Sequence, residues 1–219
     1  MTNHLMLPTS IDTVVFDHDG TLVDSIPIVL AATNEVLTQR GLAPATPDKI
    51  IDGMIHSTAI RLGLLTGIKD IQEMFFMAQR YRHLALKHAN QAHLYPGILD
   101  MLEAITNRGR SQAVVSNSEG AFIRSILTRT GAAPHFRIMI GEDDMIAPKP
   151  DPRGLLDSLG GISPARAAYV GDSSTDLSTA RAAGMKAIGV TWGTHTRAEM
   201  EALNFDALVD SPLELAALF

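Results

Sequence analysis

The strongest constraint on the fold of this chain is a unit that recurs along it: a short apolar, β-branched run followed at once by polar residues. Continuous apolar runs of this length are typical of strands buried on both faces of a sheet. The three clearest units are Ile11–Phe16 followed by Asp17-His18-Asp19-Gly20, Gln112–Val115 followed by Ser116-Asn117-Ser118, and Ala167–Val170 followed by Gly171-Asp172-Ser173.

Three further strands are predicted at Arg137–Ile140, Lys186–Thr191 and Ala207–Val209. Helical patterns separate the strands, because apolar residues recur at three- and four-residue spacing and several of these patterns end at a glycine. Alternation of strand and helix predicts an α/β fold with a Rossmann-like, doubly wound parallel sheet. Such sheets bind ligands at the edge formed by the carboxyl ends of their strands.

Residues 24–93 interrupt this alternation. They carry four helical patterns and no convincing strand: Ile26–Arg40, Thr46–Asp52, Thr58–Leu65 and Asp70–His88. In the last pattern an apolar stripe is expected to pack into a core: Ile71, Met74, Phe75, Ala78, Tyr81 and Ala85. The chain is therefore predicted to fold as one α/β core, residues 1–23 and 94–219, with a helical bundle inserted at 24–93.

Composition excludes several classes of function. The 219 residues carry a formal net charge of −6, which argues against a general nucleic-acid binder. The chain has no cysteine, so disulfides, thiolate catalysis and zinc–thiolate sites are excluded. No signal is visible in Met1–Asp12 and no apolar run approaches the ~18 residues of a membrane span. These observations predict a cytoplasmic protein that binds neither nucleic acid nor membrane.

Two carboxylates lie two residues apart where the first strand ends, Asp17 and Asp19. Such a pair can act as nucleophile and general acid or base, or can hold a hard cation such as Mg²⁺. Gly20 lets the backbone approach an anion closely. Asp172, after another strand, would complete the carboxylate cluster. Taken alone, the Asp-x-Asp pair is weak evidence for a catalytic role, because this pattern is common in ordinary turns.

Four more polar residues follow strands or lie in stiff loops. Asp176 is either an acid behind the cluster or a helix cap, and the sequence does not separate the two. Ser116 and Asn117 can donate to phosphoryl oxygens or simply cap a helix. Lys149 lies between two prolines, which hold its ammonium in place. A carboxylate cluster beside a lysine suits Mg²⁺ together with a phosphate group.

These motifs, in this order, resemble those of the haloacid dehalogenase superfamily, in particular the phosphatases of the phosphoglycolate phosphatase and β-phosphoglucomutase type. The resemblance covers nearly the whole chain. Its parts are Asp17-His18-Asp19-Gly20-Thr21-Leu22-Val23-Asp24-Ser25, Ser116-Asn117, Lys149-Pro150 and Gly171-Asp172-Ser173-Ser174-Thr175-Asp176, with Tyr95-Pro96-Gly97 where the chain returns to the core.

The resemblance implies a role for each residue. Asp17 would attack phosphorus and form an aspartyl-phosphate, while Asp19 would act as general acid and then as general base. Mg²⁺ would be held by Asp17, the backbone carbonyl of Asp19, and Asp172. Phosphate would be bound by four residues: Ser116, Asn117, Lys149 and Gly20. Thr21 and Asp176 would support these residues from behind without contacting the substrate. The insertion would form a helical cap.

His18 departs from the family pattern, which has an aliphatic residue here. Alternation along an extended chain predicts that its side chain points away from those of Asp17 and Asp19. We expect it to be buried against the core, the alternative being a titrating group that tunes the nucleophile.

The expected function is Mg²⁺-dependent hydrolysis of a small phosphate monoester, with a small phosphorylated metabolite as partner and a monomer or homodimer as assembly. A phosphosugar mutase with the same motifs remains the alternative. The resemblance disfavours a phosphonatase, because phosphonatases of the superfamily lack the acid/base aspartate that this chain has at Asp19. A phosphonatase would also need a Schiff-base lysine in the cap. A receiver-type signalling module would have no insertion and a shorter chain. His56 and Arg61 of the insertion are candidate contacts to the distal part of the substrate.

Overall fold

A computed structural model describes residues 11–219 of the chain. The prediction about Met1–Asp12 therefore lies mostly outside the described residues. The strands are β1 (Thr13–Phe16), β2 (Val23–Asp24), β3 (His93–Leu94), β4 (Ser111–Val115), β5 (Ile138–Ile140), β6 (Ala167–Gly171), β7 (Lys186–Val190) and β8 (Ala207–Val209). The α-helices are α1 (Ile26–Gln39), α2 (Pro47–Asp52), α3 (Thr58–Thr66), α4 (Ile71–His88), α5 (Ile98–Asn107), α6 (Gly120–Arg129), α7 (Arg153–Ser158), α8 (Ser174–Ala183), α9 (Arg197–Ala202) and α10 (Pro212–Ala217).

Six strands form one parallel sheet in the order β5-β4-β1-β6-β7-β8. The central strand β1 pairs with β4 on one side and with β6 on the other, so that Phe16 is level with Val114 and with Val170. The order steps outward in one direction from β1 through β4 to β5, and in the other from β6 to β8. This is the doubly wound arrangement, and the α/β prediction is confirmed.

The central strands are apolar because the sheet is covered on both faces. All four residues of β1 are buried, and four of the five in β4. Val15, Val115 and Tyr169 belong to one buried cluster, to which α7 contributes Leu155 and α8 contributes Ala180. Each predicted strand of the sheet lies within two residues of its observed bounds.

A short two-stranded ribbon lies apart from the main sheet. Here Val23 of β2 pairs antiparallel with Leu94 of β3, and Asp24 pairs with His93. Neither of these strands was predicted, because two residues are too few to show an alternation pattern. The ribbon is the point at which the chain leaves the α/β unit and returns to it.

The described chain divides into two compact units: the α/β unit, residues 11–24 and 93–219, and the helical unit, Ser25–Ala92. The helical unit lies one residue inside the predicted insertion at each end. Its helix α4 buries Met77, Tyr81 and Leu84, whereas Ile71 and Phe75 are 77% and 50% exposed. The expected core stripe is therefore wrong for these two residues, which lie on the flank of the buried face rather than at its centre.

Within residues 11–219, none of the helices combines the length and the apolar character that crossing a bilayer requires.

Candidate active site

The polar residues that follow β1, β4 and β6 meet at one edge of the α/β unit. These three strands are neighbours in a parallel sheet, so their carboxyl ends lie side by side. The site is therefore formed by three loops that are far apart in the sequence: Asp17–Thr21, Ser116–Ser118 and Gly171–Asp176.

Lys149 is the central cation of this edge. Its side chain is buried, and Nζ lies 2.9 Å from Asp17 Oδ1, 2.7 Å from Asp176 Oδ1 and 2.9 Å from the Tyr169 hydroxyl. Burial alone would lower the pKa of Lys149, but the two carboxylates raise the pKa above its usual range. The lysine is therefore fully charged at neutral pH, with all three of its N–H donors directed at acceptors.

Asn117 holds the backbone of Lys149 from both sides. The Lys149 N–H donates to Asn117 Oδ1 at 2.7 Å, and Asn117 Nδ2 donates to the Lys149 carbonyl at 3.2 Å. The side-chain amide thus ties the lysine loop to the end of β4. The phosphate-binding role expected for Asn117 stays a prediction, and its amide is engaged with the backbone in this structure.

Asp176 combines the two roles that the sequence left open. It forms a capping box with Ser173 at the start of α8, accepting from the Ser173 hydroxyl at 2.6 Å and from its backbone N–H at 3.1 Å on Oδ2. Its other oxygen, Oδ1, accepts from Lys149. Asp176 therefore caps the helix and orients the lysine at the same time.

Three buried carboxylates converge here: oxygens of Asp17, Asp172 and Asp176 lie within 4.8 Å of one another. Burial raises the pKa of Asp17 to about 6, with Lys149 opposing and Asp176 and Asp19 adding to the rise. Burial, then Asp176 and Asp17, raise the pKa of Asp172 to about 7. The single ammonium does not balance the negative charge at this edge.

Mg²⁺ fits this arrangement of donors. It prefers carboxylate and carbonyl oxygens, and a divalent cation would supply the missing positive charge. Asp17 and Asp172 are the ligands best suited to hold it. Asp176 is less suited, because each of its oxygens already accepts hydrogen bonds from Lys149 or Ser173.

Asp19 faces the β4 side of the site. The Ser118 hydroxyl donates to Asp19 Oδ2 at 2.5 Å, and His18 Nδ1 lies 3.2 Å from Asp19 Oδ1. The predicted burial of His18 is confirmed, and its ring packs edge-on against Phe122 of α6 at 5.7 Å. The expectation that it points away from Asp19 is wrong, because the tight turn after β1 breaks the alternation of an extended strand.

Gly20 allows a close approach that a side chain would prevent. Its φ of +74° lies in the left-handed region, and a Cβ there would lie 2.2 Å from Asp172 Oδ2. Thr21 is buried, and its carbonyl accepts from Trp192 Nε1 at 3.0 Å. Ser116 is buried at the end of β4. The phosphate-binding roles of Gly20 and Ser116 stay predictions.

Two residues of this edge were missed in the sequence. Ser118 contacts Asp19, and Thr194 donates to Asp172 Oδ2 from its backbone N–H at 2.8 Å and from its hydroxyl at 2.6 Å. Thr194 follows β7, so the rule that polar residues after strands form the site would have found it. Ser118 carries the same signal, because it comes directly after Ser116 and Asn117.

The two candidates in the insertion lie in the helical unit. Arg61 is buried in α3, with its guanidinium 4.9 Å from the centre of the Tyr81 ring. His56 is exposed in the turn before α3. Their predicted contact with substrate stays a prediction.

Comparison with known proteins assigns the family. Residues 14–190 match the family of haloacid dehalogenase-like hydrolases. The chain is 30% identical over 205 residues to a phosphoglycolate phosphatase of Pseudomonas putida, covering 90% of this chain and 75% of that protein. It is 31% identical over 207 residues to an N-acetylmuramic acid 6-phosphate phosphatase of Pseudomonas aeruginosa, covering 92% of each.

Solved structures agree with the sequence relatives. A haloacid dehalogenase-like hydrolase from Bacteroides fragilis superposes with a TM-score of 0.86 at 30% identity, covering 93% of this chain and 99% of that one. The matched fold, the matched residues and the strand-end motifs all point to one family. The chain belongs to the haloacid dehalogenase-like hydrolases.

Proposed function

We propose that this protein is an Mg²⁺-dependent phosphatase that hydrolyses a small phosphate monoester through an aspartyl-phosphate on Asp17. The observation that carries the proposal is the contact between Asp17 and Lys149: a buried carboxylate at the end of the central strand, 2.9 Å from a buried ammonium. A carboxylate in this position can attack an electrophilic phosphorus, while the ammonium attracts the phosphoryl oxygens.

In the first step, an oxygen of Asp17 forms a bond to phosphorus as the bond between phosphorus and the ester oxygen breaks. The departing oxygen takes a proton from Asp19. Because the Ser118 hydroxyl donates to Asp19 Oδ2 at 2.5 Å, the acid is held in one orientation during this transfer.

In the second step, Asp19 accepts a proton from the water that attacks phosphorus. The bond between Asp17 and phosphorus then breaks, inorganic phosphate leaves, and Asp17 is a carboxylate again. Lys149 neutralises charge on the phosphoryl oxygens in both steps, and Ser116, which follows the end of β4, donates to them.

Asp17 and Asp172, with the Asp19 carbonyl, would hold Mg²⁺, which when bound neutralises phosphoryl charge as a Lewis acid. Asp176 would keep Lys149 beside Asp17, because its Oδ1 accepts a hydrogen bond from the same Nζ at 2.7 Å.

The test is phosphate release from a panel of small phosphate monoesters that includes phosphoglycolate, N-acetylmuramic acid 6-phosphate and several sugar phosphates. We expect release that requires Mg²⁺ and that falls by roughly 10³-fold or more in Asp17→Asn. The matched control is Asp12→Asn: Asp12 directly precedes the other end of β1 and pairs with Arg166, so this variant should keep its activity.

Full activity in Asp17→Asn would refute the mechanism. Isomerisation of a sugar phosphate without release of phosphate would instead favour the mutase, with Asp17 in the same role.

A further inference from the structure

A segment outside the family motifs packs over the two loops that carry Asp17 and Asp172. It is Trp192–Thr194, which begins two residues after β7 ends, and each of its three residues contacts one of these loops. Trp192 Nε1 donates to the carbonyl of Thr21 at 3.0 Å. Gly193 lies so close that a Cβ on it would be 2.4 Å from the Gly20 carbonyl oxygen and 2.5 Å from Asp172 Oδ2.

Thr194 makes the contact with the clearest chemical consequence. Its backbone N–H and its hydroxyl both donate to one oxygen of Asp172, Oδ2, at 2.8 and 2.6 Å. Two donors on a single oxygen fix the rotation of the carboxylate about its Cβ–Cγ bond, and so also fix the direction of Oδ1. Asp172 is 3% exposed, so water does not compete strongly for these hydrogen bonds.

The Thr194 hydroxyl is itself oriented by the next residue. His195 Nδ1 lies 3.0 Å from Thr194 Oγ1. Because the only hydroxyl proton is directed at Asp172, the network assigns the Nδ1–H tautomer to His195, which donates to Thr194. The chain of hydrogen bonds therefore runs from His195 through Thr194 to Asp172.

We propose that Thr194 is a positioning residue for cation binding: its hydroxyl sets the orientation in which Asp172 receives the divalent ion. The inference rests on the proposed Mg²⁺ site. Hydrogen-bond partners of metal ligands commonly change metal affinity by roughly 10- to 100-fold when they are removed. Since the backbone N–H of Thr194 would remain, we expect the lower end of this range for loss of the hydroxyl.

The first test measures binding of Mn²⁺, a paramagnetic substitute for Mg²⁺, by electron paramagnetic resonance of the free ion. Thr194→Val removes the hydroxyl while keeping the shape and the backbone donor, and should raise the Mn²⁺ dissociation constant roughly 10-fold. Thr194→Ser restores a hydroxyl and should return the constant to within about threefold of the wild type. If Thr194→Val does not fold, Thr194→Ala is used under the same criterion.

The matched control is Thr191→Val. Thr191 lies three residues earlier, and its hydroxyl donates to Asp210 at 2.7 Å rather than to Asp172. This variant loses a hydroxyl from the same stretch of chain and should bind Mn²⁺ as the wild type does.

The second readout separates positioning from general loss of structure. Phosphate release is measured against Mg²⁺ concentration. In Thr194→Val the half-saturating Mg²⁺ concentration should rise roughly 10-fold, while kcat at saturating Mg²⁺ stays within about threefold. A merely structural role would lower kcat at every Mg²⁺ concentration.

Equal Mn²⁺ affinity in Thr194→Val and the wild type would overturn this inference and leave the proposed function standing. Absence of Mn²⁺ binding in the wild type would overturn the metal site itself, and with it both proposals.

Discussion

Within residues 11–219, each of the two units buries one lysine or arginine, and the surroundings of these two side chains differ. Lys149 in the α/β unit is 5% exposed, and Arg61 in the helical unit is 4% exposed. The lysine has three acceptors for its three N–H donors: Asp17, Asp176 and Tyr169. By contrast, Arg61 Nε and Nη2 have no hydrogen-bond partner among residues 11–219, and the Arg61 guanidinium lies 4.9 Å from the centre of the Tyr81 ring.

The difference shows what distinguishes a prepared site from a buried charge. When one partner of a buried ion pair is removed, the charge that remains is buried without a counter-charge, and the folded state loses stability. When a buried charge that has few partners is replaced by an apolar group, the free-energy cost of burying that charge disappears. Burial is the same for both residues, so the free energy of unfolding should respond to the partners rather than to exposure.

Loss of the compensated cation should have the largest effect. Lys149→Met leaves Asp17 and Asp176 buried without a counter-charge and should lower the free energy of unfolding at pH 8 by about 3–5 kcal/mol. The effect should be smaller at pH 5, because Asp17, with a pKa of about 6, can then be neutral. Urea denaturation at the two pH values measures this.

The matched control for this prediction is Lys186→Met, since Lys186 is more exposed and pairs with Asp206 at 3.4 Å. That variant should change the free energy by less than about 1 kcal/mol. Equal losses in the two variants would remove the basis for the comparison.

Two glycines, one in each unit, test whether the close backbone packing in the α/β unit matters for activity. Gly20 and Gly67 have the same φ of +74°, but a Cβ on Gly67, at the end of α3, would meet nothing within 4 Å. Both alanine variants should lose about 1–2 kcal/mol from the left-handed conformation. Only Gly20→Ala displaces Asp172, and phosphatase activity should fall by roughly 10²-fold.

Activity and thermal unfolding, measured on both variants, separate the two effects. Wild-type activity in Gly20→Ala would mean that Asp172 tolerates displacement, and the close approach at Gly20 would then have no functional role.

The carboxylate cluster predicts how stability depends on pH without metal. The pKa values of Asp17 and Asp172 are raised from the ordinary value of 3.8 to about 6 and about 7. At a pH between the ordinary value and the raised values, these two carboxyl groups bind more protons in the folded state than in the unfolded state. The contribution of both groups to stability therefore decreases as pH rises from about 4 to about 7. In EDTA, Tm should fall by roughly 3 °C or more from pH 5 to pH 8.

Mg²⁺ should raise Tm more at pH 8 than at pH 5, because the ion replaces protons at the same oxygens. Differential scanning calorimetry with EDTA and with Mg²⁺ tests this. Asp172→Asn should weaken the pH dependence, and an unchanged pH dependence in that variant would exclude Asp172 as one of its sources.

Loss of Arg61, the buried cation with two guanidinium nitrogens that lack hydrogen-bond partners among residues 11–219, should give the smallest effect. In Arg61→Met the lost contact with Tyr81 is offset by the removal of a buried charge, so the free energy of unfolding should change by no more than about 1 kcal/mol in either direction. Urea denaturation measures the change, with Arg80→Met, an exposed change on α4, as the control. A loss above about 2 kcal/mol would show that Arg61 is compensated in the folded unit after all.

Patterns that lie within a few neighbouring residues were predictable here. The strands of the main sheet and the helices of the insertion follow from periodicity, and the residues after β1, β4 and β6 follow from the rule for parallel sheets. The rule for parallel sheets, together with the family resemblance, was enough to predict that Asp17, Asp172 and Lys149 lie at one edge of the sheet.

Features that depend on contacts between residues far apart in the sequence could not be predicted. The two hydrogen bonds between the Asn117 side chain and the Lys149 backbone span 32 positions, and local sequence gives no sign of such pairing. The turn that brings His18 to Asp19, and the flank position of Phe75 on α4, depend equally on three-dimensional packing. Such features need the assembled sheet or bundle before they exist.

The position of β1 at the centre of the sheet has a consequence for synthesis on the ribosome. Thr13 of β1 pairs with Ser111 of β4 and with Ala167 of β6. After β1 is synthesised, about 150 further residues must therefore be added before its second neighbour, β6, is available. At translation rates of about 5–20 residues per second this wait lasts roughly 8–30 s. The helical unit emerges complete in the meantime and forms from local contacts. During this interval the nascent chain therefore presents a folded insertion attached to an apolar strand that still lacks one or both of its neighbours, and this is when chaperone binding to β1 would matter most.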